Sequence, residues 1–399
     1  MPAGRGPASR RQARRPSRGT DHALRFTRKD ALIVRKWKVG IVGLRRGEGF
    51  VSVFAAHSRV EVVGLCDLET ESLSRLGAAF GLPDSALFTQ FDEFVQAPMD
   101  IVIVATPIRY HAEQTIQSLE SGKHVLCEQT AAYTLGECER IVEAVKRAGL
   151  TYMMAENYCY FHYIRQWHDL IRQGKLGGVF YAEAEYVHEI EDLLIDRGTG
   201  AYHWRHERPP IWYCAHCIGP LLMLMDDRIV QACGSHAGFH KHPQQNEHLG
   251  FLDAEVGLFR TGKGALIKIL RSQVAPRYPR LIYYSLYGTR GCLENGRFGA
   301  GTDGQVWIDG ETPDDANGHR SATPMHCDLS DPNAPEEAYH GGHGTSEYYM
   351  IRDFLDAVES GSRPPIDVVR AMDFTVPGIV AHDSAMSDGN WRDVPLFDW

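Results

Sequence analysis

Between residues 37 and 155 short apolar runs alternate with amphipathic stretches. Strands are expected at 37–43, 60–66, 86–88, 100–105, 123–127 and 151–155. Helices are expected at about 48–56, 70–80, 109–120 and 134–148. Parallel strands joined by helical crossovers must be covered on both faces, which gives a doubly wound α/β sheet. Such sheets take ligands at the carboxyl ends of their strands. The residues at those ends are therefore the first candidates for a site.

The first strand ends in Gly43-Leu44-Arg45-Arg46-Gly47-Glu48-Gly49. Gly43 permits a tight turn, but Arg45 stands where a dinucleotide loop has its second glycine. Arg46 is a candidate to reach a phosphate. The second strand ends at Asp67, where a carboxylate accepts hydrogen bonds from ribose hydroxyls and repels a 2′-phosphate. Together these point to a Rossmann domain that prefers NAD over NADP, with Arg45 and Arg46 offsetting part of that preference. The alternative role for Asp67 is capping the helix after it. The fourth strand leads into Thr106-Pro107-Ile108-Arg109-Tyr110-His111, and the fifth ends at Glu128-Gln129. His111 has the alternative of serving only the helix start.

After Ala155 the pattern changes. A helix near 159–174 is followed by alternating runs at about 178–188, 228–237, 250–258, 264–273 and 281–288. These predict an open, mainly antiparallel sheet with helices on one face. Two late helices follow, at about 346–360 and 366–386. Three clusters here carry groups suited to proton transfer: Tyr213 to Pro220 with His216, Tyr186-Val187-His188-Glu189, and Gly341-Gly342-His343-Gly344. Trp204-Arg205 adds an aromatic surface and a cation.

The chain's 399 residues allow two domains. The expected division is a basic, disordered tail at 1–36, a nucleotide-binding domain at 37–155 and a substrate and dimerisation domain at 156–399. Six arginines before residue 19 lie among Pro, Gly and Ser, too little apolar matter to offset ordering. Ser9-Arg10-Arg11 lacks the apolar stretch of an export signal. A net charge of −9 argues against nucleic-acid binding, and no apolar run reaches membrane-spanning length. Nine cysteines without framework spacing fit reduced thiols in a cytoplasmic protein. Cys214-Ala215-His216-Cys217 has no second Cys pair, so no metal is expected there. His236, His240, His242 and His248 read as a solvated loop or substrate rim.

These features resemble the glucose–fructose oxidoreductase/inositol dehydrogenase (Gfo/Idh/MocA) family, whose fifth strand usually ends in Glu-Lys-Pro. In its ordinary dehydrogenases the lysine helps deprotonate the substrate alcohol, and an aspartate precedes the active-site histidine by four residues. Here those positions are Gln129 and Trp212, while His216 remains. By position, the resemblance carries Thr106 and His111 over to the turn covering the pyrophosphate and nicotinamide ribose, and Glu128 to the nicotinamide side.

A closer resemblance is to the NAD-dependent α-N-acetylgalactosaminidase-like glycosidases, a branch of that family. It rests on Glu128-Gln129-Thr130-Ala131-Ala132, Glu156-Asn157-Tyr158-Cys159-Tyr160, Tyr213 through Pro220, and His343-Gly344. The resemblance implies redox-assisted cleavage of a glycoside, with NAD regenerated in each cycle. It makes Tyr213, His216, His188 and Arg205 the catalytic candidates and Trp204 and His343 the substrate contacts. Gly43, Leu44, Arg45, Arg46, Asp67, Thr106, His111, Glu128, Gln129 and Asn157 are the cofactor candidates. It also implies a sugar or glycoside substrate and a homodimer or homotetramer. Two alternatives stay open: a plain sugar or cyclitol dehydrogenase, and a silent sugar sensor that keeps NAD.

Overall fold

Six parallel strands build the first sheet: β1 (Trp37–Val42), β2 (Val60–Cys66), β3 (Leu87–Phe88), β4 (Ile101–Val104), β5 (His124–Glu128) and β6 (Tyr152–Ala155). This computed structural model describes residues 36–190, 193–194, 202–241, 251–298 and 302–399. The tail expected at 1–36 lies outside them except for Lys36. The strand order is β3-β2-β1-β4-β5-β6, so it reverses between β1 and β4 and opens a crevice at their carboxyl ends. All four residues of β4 are fully buried, as are Val39 and Ile41 of β1. Strands covered on both faces need such continuous apolar runs.

The connecting helices are α1 (Leu44–Ala56), α2 (Thr70–Ala79), α3 (Phe91–Phe94), α4 (His111–Glu120) and α5 (Leu135–Ala148). In α5 each sequence signal has its structural counterpart. Thr134 and Glu137 form a reciprocal capping box, Lys146 and Arg147 occupy the last turn, and Gly149 ends the helix at φ 63°. Helix α1 begins four residues earlier than expected. Gly43 adopts φ 88°, and the helix starts directly after it.

The second sheet contains β7 (Val179–Val187), β8 (Ile229–His236), β9 (Ala254–Thr261), β10 (Leu266–Ser272), β11 (Leu281–Gly288), β12 (Gly291–Glu294), β13 (Gly304–Ile308), β14 (Thr323–Met325) and β15 (Arg392–Asp393). Its order is β14-β13-β12-β11-β7-β10-β9-β8-β15. Every pair is antiparallel except β7 with β10. Helices α6 (His162–Arg172), α7 (Ala215–Met225), α8 (Ser346–Ser360) and α9 (Val368–Ala385) complete this half. Helix α9 packs on β8 and β9 and also reaches α5 and β6. A single apolar cluster therefore runs beneath both sheets.

Helix α7 was not among the expected helices, and it carries Pro220 inside it. Pro220 cannot donate to the carbonyl four residues earlier, that of His216. The Tyr284 hydroxyl donates to the His216 carbonyl instead. The strands β12 to β15 were also missed, being two to five residues long. Among the described residues, no helix is long and apolar enough to cross a membrane.

Candidate active site

A cleft of about 790 Å³ opens at the carboxyl ends of the parallel strands, with its far wall built from the second half. On the nucleotide side, Gly43 lies so close to the β4–α4 turn that a Cβ there would sit 2.5 Å from the Ala105 carbonyl carbon and the Thr106 nitrogen. Asp67 lines the cleft and accepts from the Leu44 N–H at 2.5 Å and the Glu69 N–H at 2.9 Å. It thus holds the start of α1, which precedes it, and the N-cap residue of α2, which follows it; its alternative reading had named only the helix after it. A carboxylate has about four acceptor positions, so two protein donors leave room for ribose hydroxyls. Thr106 bonds Gln114 at 2.6 Å.

Three cofactor candidates behave differently from expectation. The Leu44 side chain is buried in the core, and only its N–H turns toward the strand ends. Arg46 spends its guanidinium on Glu128 at 2.6 Å and Glu347 at 3.3 Å, not on an open phosphate position. These two carboxylates outweigh burial and raise its pKa. His111 is 1% exposed, and both ring nitrogens face carbonyls, of Thr130 and Thr106, at 2.8 Å. Two acceptors require two N–H groups, hence an imidazolium. Burial opposes that charge, but the Cys127 thiol and the two carbonyls prevail, raising the pKa to about 9. His111 therefore pins the β4–α4 turn to the end of β5.

Where the two halves meet, Gln129 joins two elements distant in sequence. Its Nε2 donates to the Tyr213 hydroxyl and lies 3.1 Å from His216 Nε2. His216, on the first turn of α7, holds Glu156 through Nδ1 at 2.7 Å and stacks on Tyr158 at 3.9 Å. Glu156 is fully buried. Burial raises its carboxyl to about 8 and drives the His216 imidazole well below its ordinary range. The pair shares one proton near neutral pH and gives it up above about pH 8. Burial also raises the Tyr213 phenol pKa, opposed first by Arg208, whose guanidinium lies 3.7 Å from the ring centre. Trp212, at the family's aspartate position, is buried against Tyr133 and faces away from this chemistry.

Around this centre, His188 bonds the Tyr186 hydroxyl at 2.9 Å. Burial, then Arg280, Arg271 and Arg208, lower its pKa to about 4, so it is a neutral imidazole. His343 lines the cleft and is held by Glu347 at 2.9 Å. Trp204 and Arg205 stand at the cleft wall, the guanidinium 4.7 Å from the indole centre. Arg45 reaches across to His203 at 2.9 Å. Buried polar atoms at the centre are without partners among the described residues: Gln129 Oε1, Glu156 Oε2 and Asn157 Nδ2. Orphaned groups at a cleft floor fit a site that a cofactor and substrate complete.

The sequence reading did not single out Arg208, Arg271, Arg280 or His203, which all line this cleft. Arg271 had a signal: a charge inside the apolar run of β10. Glu156 was quoted in a motif without a role. His236 and His240 lie on or after β8, whereas His242 and His248 fall outside the described residues. All nine cysteines are free thiols. Among the described residues, no group of three or more His, Cys, Asp or Glu side chains could hold a metal ion.

Comparison with known proteins agrees with this geometry. Residues 37–156 match the family model described as an oxidoreductase family with an NAD-binding Rossmann fold. A glycosyl hydrolase family 109 protein of Shewanella putrefaciens is 26% identical over 404 aligned positions, covering 90% of this chain and 84% of that protein. A protein of the same name from Streptomyces niveus is 27% identical, covering 90% and 77%. Levoglucosan dehydrogenase, solved in complex with NADH, superposes with a TM-score of 0.75 at 18% identity, over 91% of this chain and all of that one. This last likeness is one of fold. With its Rossmann sheet, its second open sheet and the cleft between them, the chain resembles the Gfo/Idh/MocA oxidoreductases, and its residues 37–156 match that family's NAD-binding Rossmann model.

Proposed function

We propose that this protein cleaves a glycoside by a redox-neutral route that uses NAD. The observation that carries the reading is the lysine-free proton-transfer set of Gln129, Tyr213, His216 and Glu156. Relatives that align over 90% of the chain are named glycosyl hydrolases, which supports the same reading. Gly43, Asp67, Thr106, Glu128 and Asn157 would hold the dinucleotide, and Asp67 favours NAD over NADP. Bound there, NAD supplies a hydride acceptor that takes hydride from a sugar carbinol carbon and later returns it.

The protein's own groups handle the protons. Gln129 is neutral, so the carbinol proton goes to the Tyr213–His216 pair, where a base is available once the His216–Glu156 pair has lost its shared proton. With C3 oxidised to a ketone, the C2 proton is acidified and a modest base removes it. The neutral His188 imidazole is suited to that step. The C1–O bond to the aglycone then breaks, and the leaving oxygen takes a proton. Water adds at C1, C2 regains its proton, and C3 is reduced. Arg205 stabilises the enolate charge that develops between these steps. The open face of the second sheet, where Tyr181 lies opposite the exposed Tyr287, supports self-association as a homodimer or homotetramer.

The test follows nicotinamide absorbance and aglycone release together, with purified protein, trace NAD and a panel of aryl glycosides. Aglycone release without NADH build-up, and deuterium uptake at C2 from heavy water, are expected. NADH accumulating in step with substrate, with no bond broken, would make this a dehydrogenase. Sugar binding with neither signal would make it a sensor.

A further inference from the structure

The two walls of the cleft differ in charge. The nucleotide half contributes five carboxylates, Asp67, Glu69, Asp92, Glu113 and Glu128, against three cations, Arg45, Arg46 and Arg109. From residue 156 onward, the described lining contributes Arg205, Arg208, Arg271 and Arg280 and no carboxylate. Glu128 does not compensate, because Arg46 already occupies it.

Two of these arginines are buried with no ion pair among the described residues. Arg208 is 6% exposed, its one side-chain hydrogen bond goes to the neutral amide of Gln273, and its Nε has no partner. Arg271 is 1% exposed and donates only to the carbonyls of Pro210, at 3.2 Å, and Tyr186, at 3.4 Å. Each guanidinium lies on an aromatic ring, Arg208 at 3.7 Å from the Tyr213 centre and Arg271 at 4.2 Å from that of Tyr186. Such contacts replace part of the lost hydration but bring no negative charge. A buried cation is ordinarily paired. Here the missing charge faces a cleft that a ligand enters. Arg280 lines the same wall and acts on His188 more strongly than any other charge. The cofactor's phosphates belong beside Gly43, whereas Arg208 sits on Tyr213 at the reacting end.

We propose that the sugar carries a fixed oxyanion, either a uronic acid carboxylate or a sulfate ester, and that Arg208, Arg271 and Arg280 receive it. This rests on the reading of the cleft as a sugar site, but not on the fate of the glycosidic bond. A planar guanidinium fork matches either group, and the pairing is strongest where water is excluded. A neutral sugar would leave the cations uncompensated, so the wall also selects against it.

The experiment compares 4-nitrophenyl uronides, sulfated 4-nitrophenyl sugars and their neutral parents, using the full chain with NAD. One of the two anionic series is expected to exceed its neutral parent by about 100-fold or more in kcat/KM, and which series does so identifies the anion. Arg280→Gln, a change away from Tyr213, is expected to cut that preference by about tenfold or more. Equal or faster turnover of the neutral parents would overturn the proposal. Calorimetry of the NAD-loaded protein with free uronic acids, sulfated monosaccharides and neutral sugars separates this proposal from the cleavage reading. Binding confined to anionic sugars, with no aglycone released, would sustain the anion site and sink the cleavage mechanism. Cleavage with no preference for anionic sugars in binding would do the reverse.

Discussion

Gln129 sets the chemistry at the scale of single residues. Its amide touches both Tyr213 and His216, so it organises the proton-transfer pair without supplying a charge. Tyr213→Phe is expected to lower turnover by about 10²- to 10⁴-fold and to leave NAD affinity nearly unchanged, measured by fluorescence titration. Glu156 governs when His216 can act as a base. The base form grows as pH rises through about 8, where the buried Glu156–His216 pair loses its shared proton. The oxidation step should therefore speed up as pH rises through that value, in single-turnover NADH formation. Glu156→Gln should abolish that limb while the fold stays intact by circular dichroism. A limb that persisted would assign the titration to another group. Tyr213 and His216 were legible in the sequence because their motif is local. Arg208 and Arg271 were not, because a buried unpaired arginine is defined by what surrounds it.

Local propensity and tertiary contact divide the work differently from one element to the next. Helix α5 could be read from its caps and apolar stripe alone. Helix α7 could not, since the donor that replaces the missing Pro220 N–H comes from Tyr284 on β11. That bond also fixes the backbone of His216. Tyr284→Phe is expected to destabilise the protein by about 1–3 kcal/mol, read from the urea midpoint, and to slow catalysis although Tyr284 does not itself line the cleft. An unchanged midpoint would mean that the carbonyl finds another donor. The start of α1 shows the same division. Gly43 marked the turn, but the immediate entry into helix depends on Asp67 receiving the Leu44 N–H across the sheet.

For the whole molecule, the late helices close the site onto the nucleotide half. Arg46 from α1 joins Glu128 at the end of β5 to Glu347 on α8, and Glu347 in turn holds His343. Glu347 is only 1% exposed, so removing its cation leaves a buried carboxylate poorly paired. Arg46→Met is expected to cost about 3 kcal/mol or more in denaturant unfolding and to weaken NAD binding through a displaced Glu128. A stable variant with normal NAD affinity would show that this ion-pair chain carries no load.

The sequence by itself determined the order of the six parallel strands, the dinucleotide-binding edge and the central proton-transfer side chains of the cleft. These follow from periodicity and from residues adjacent in the chain, whose placement the backbone fixes once the strands form. Tertiary structure decided the rest: Arg46 pairs with carboxylates, His111 is a pin, Leu44 faces the core, and four arginines converge on one wall. The Arg46 pairing spans 82 and 301 residues and the His111 pin 5 and 19, and pairing in a buried site is settled by distance in space, which spacing along the chain does not encode.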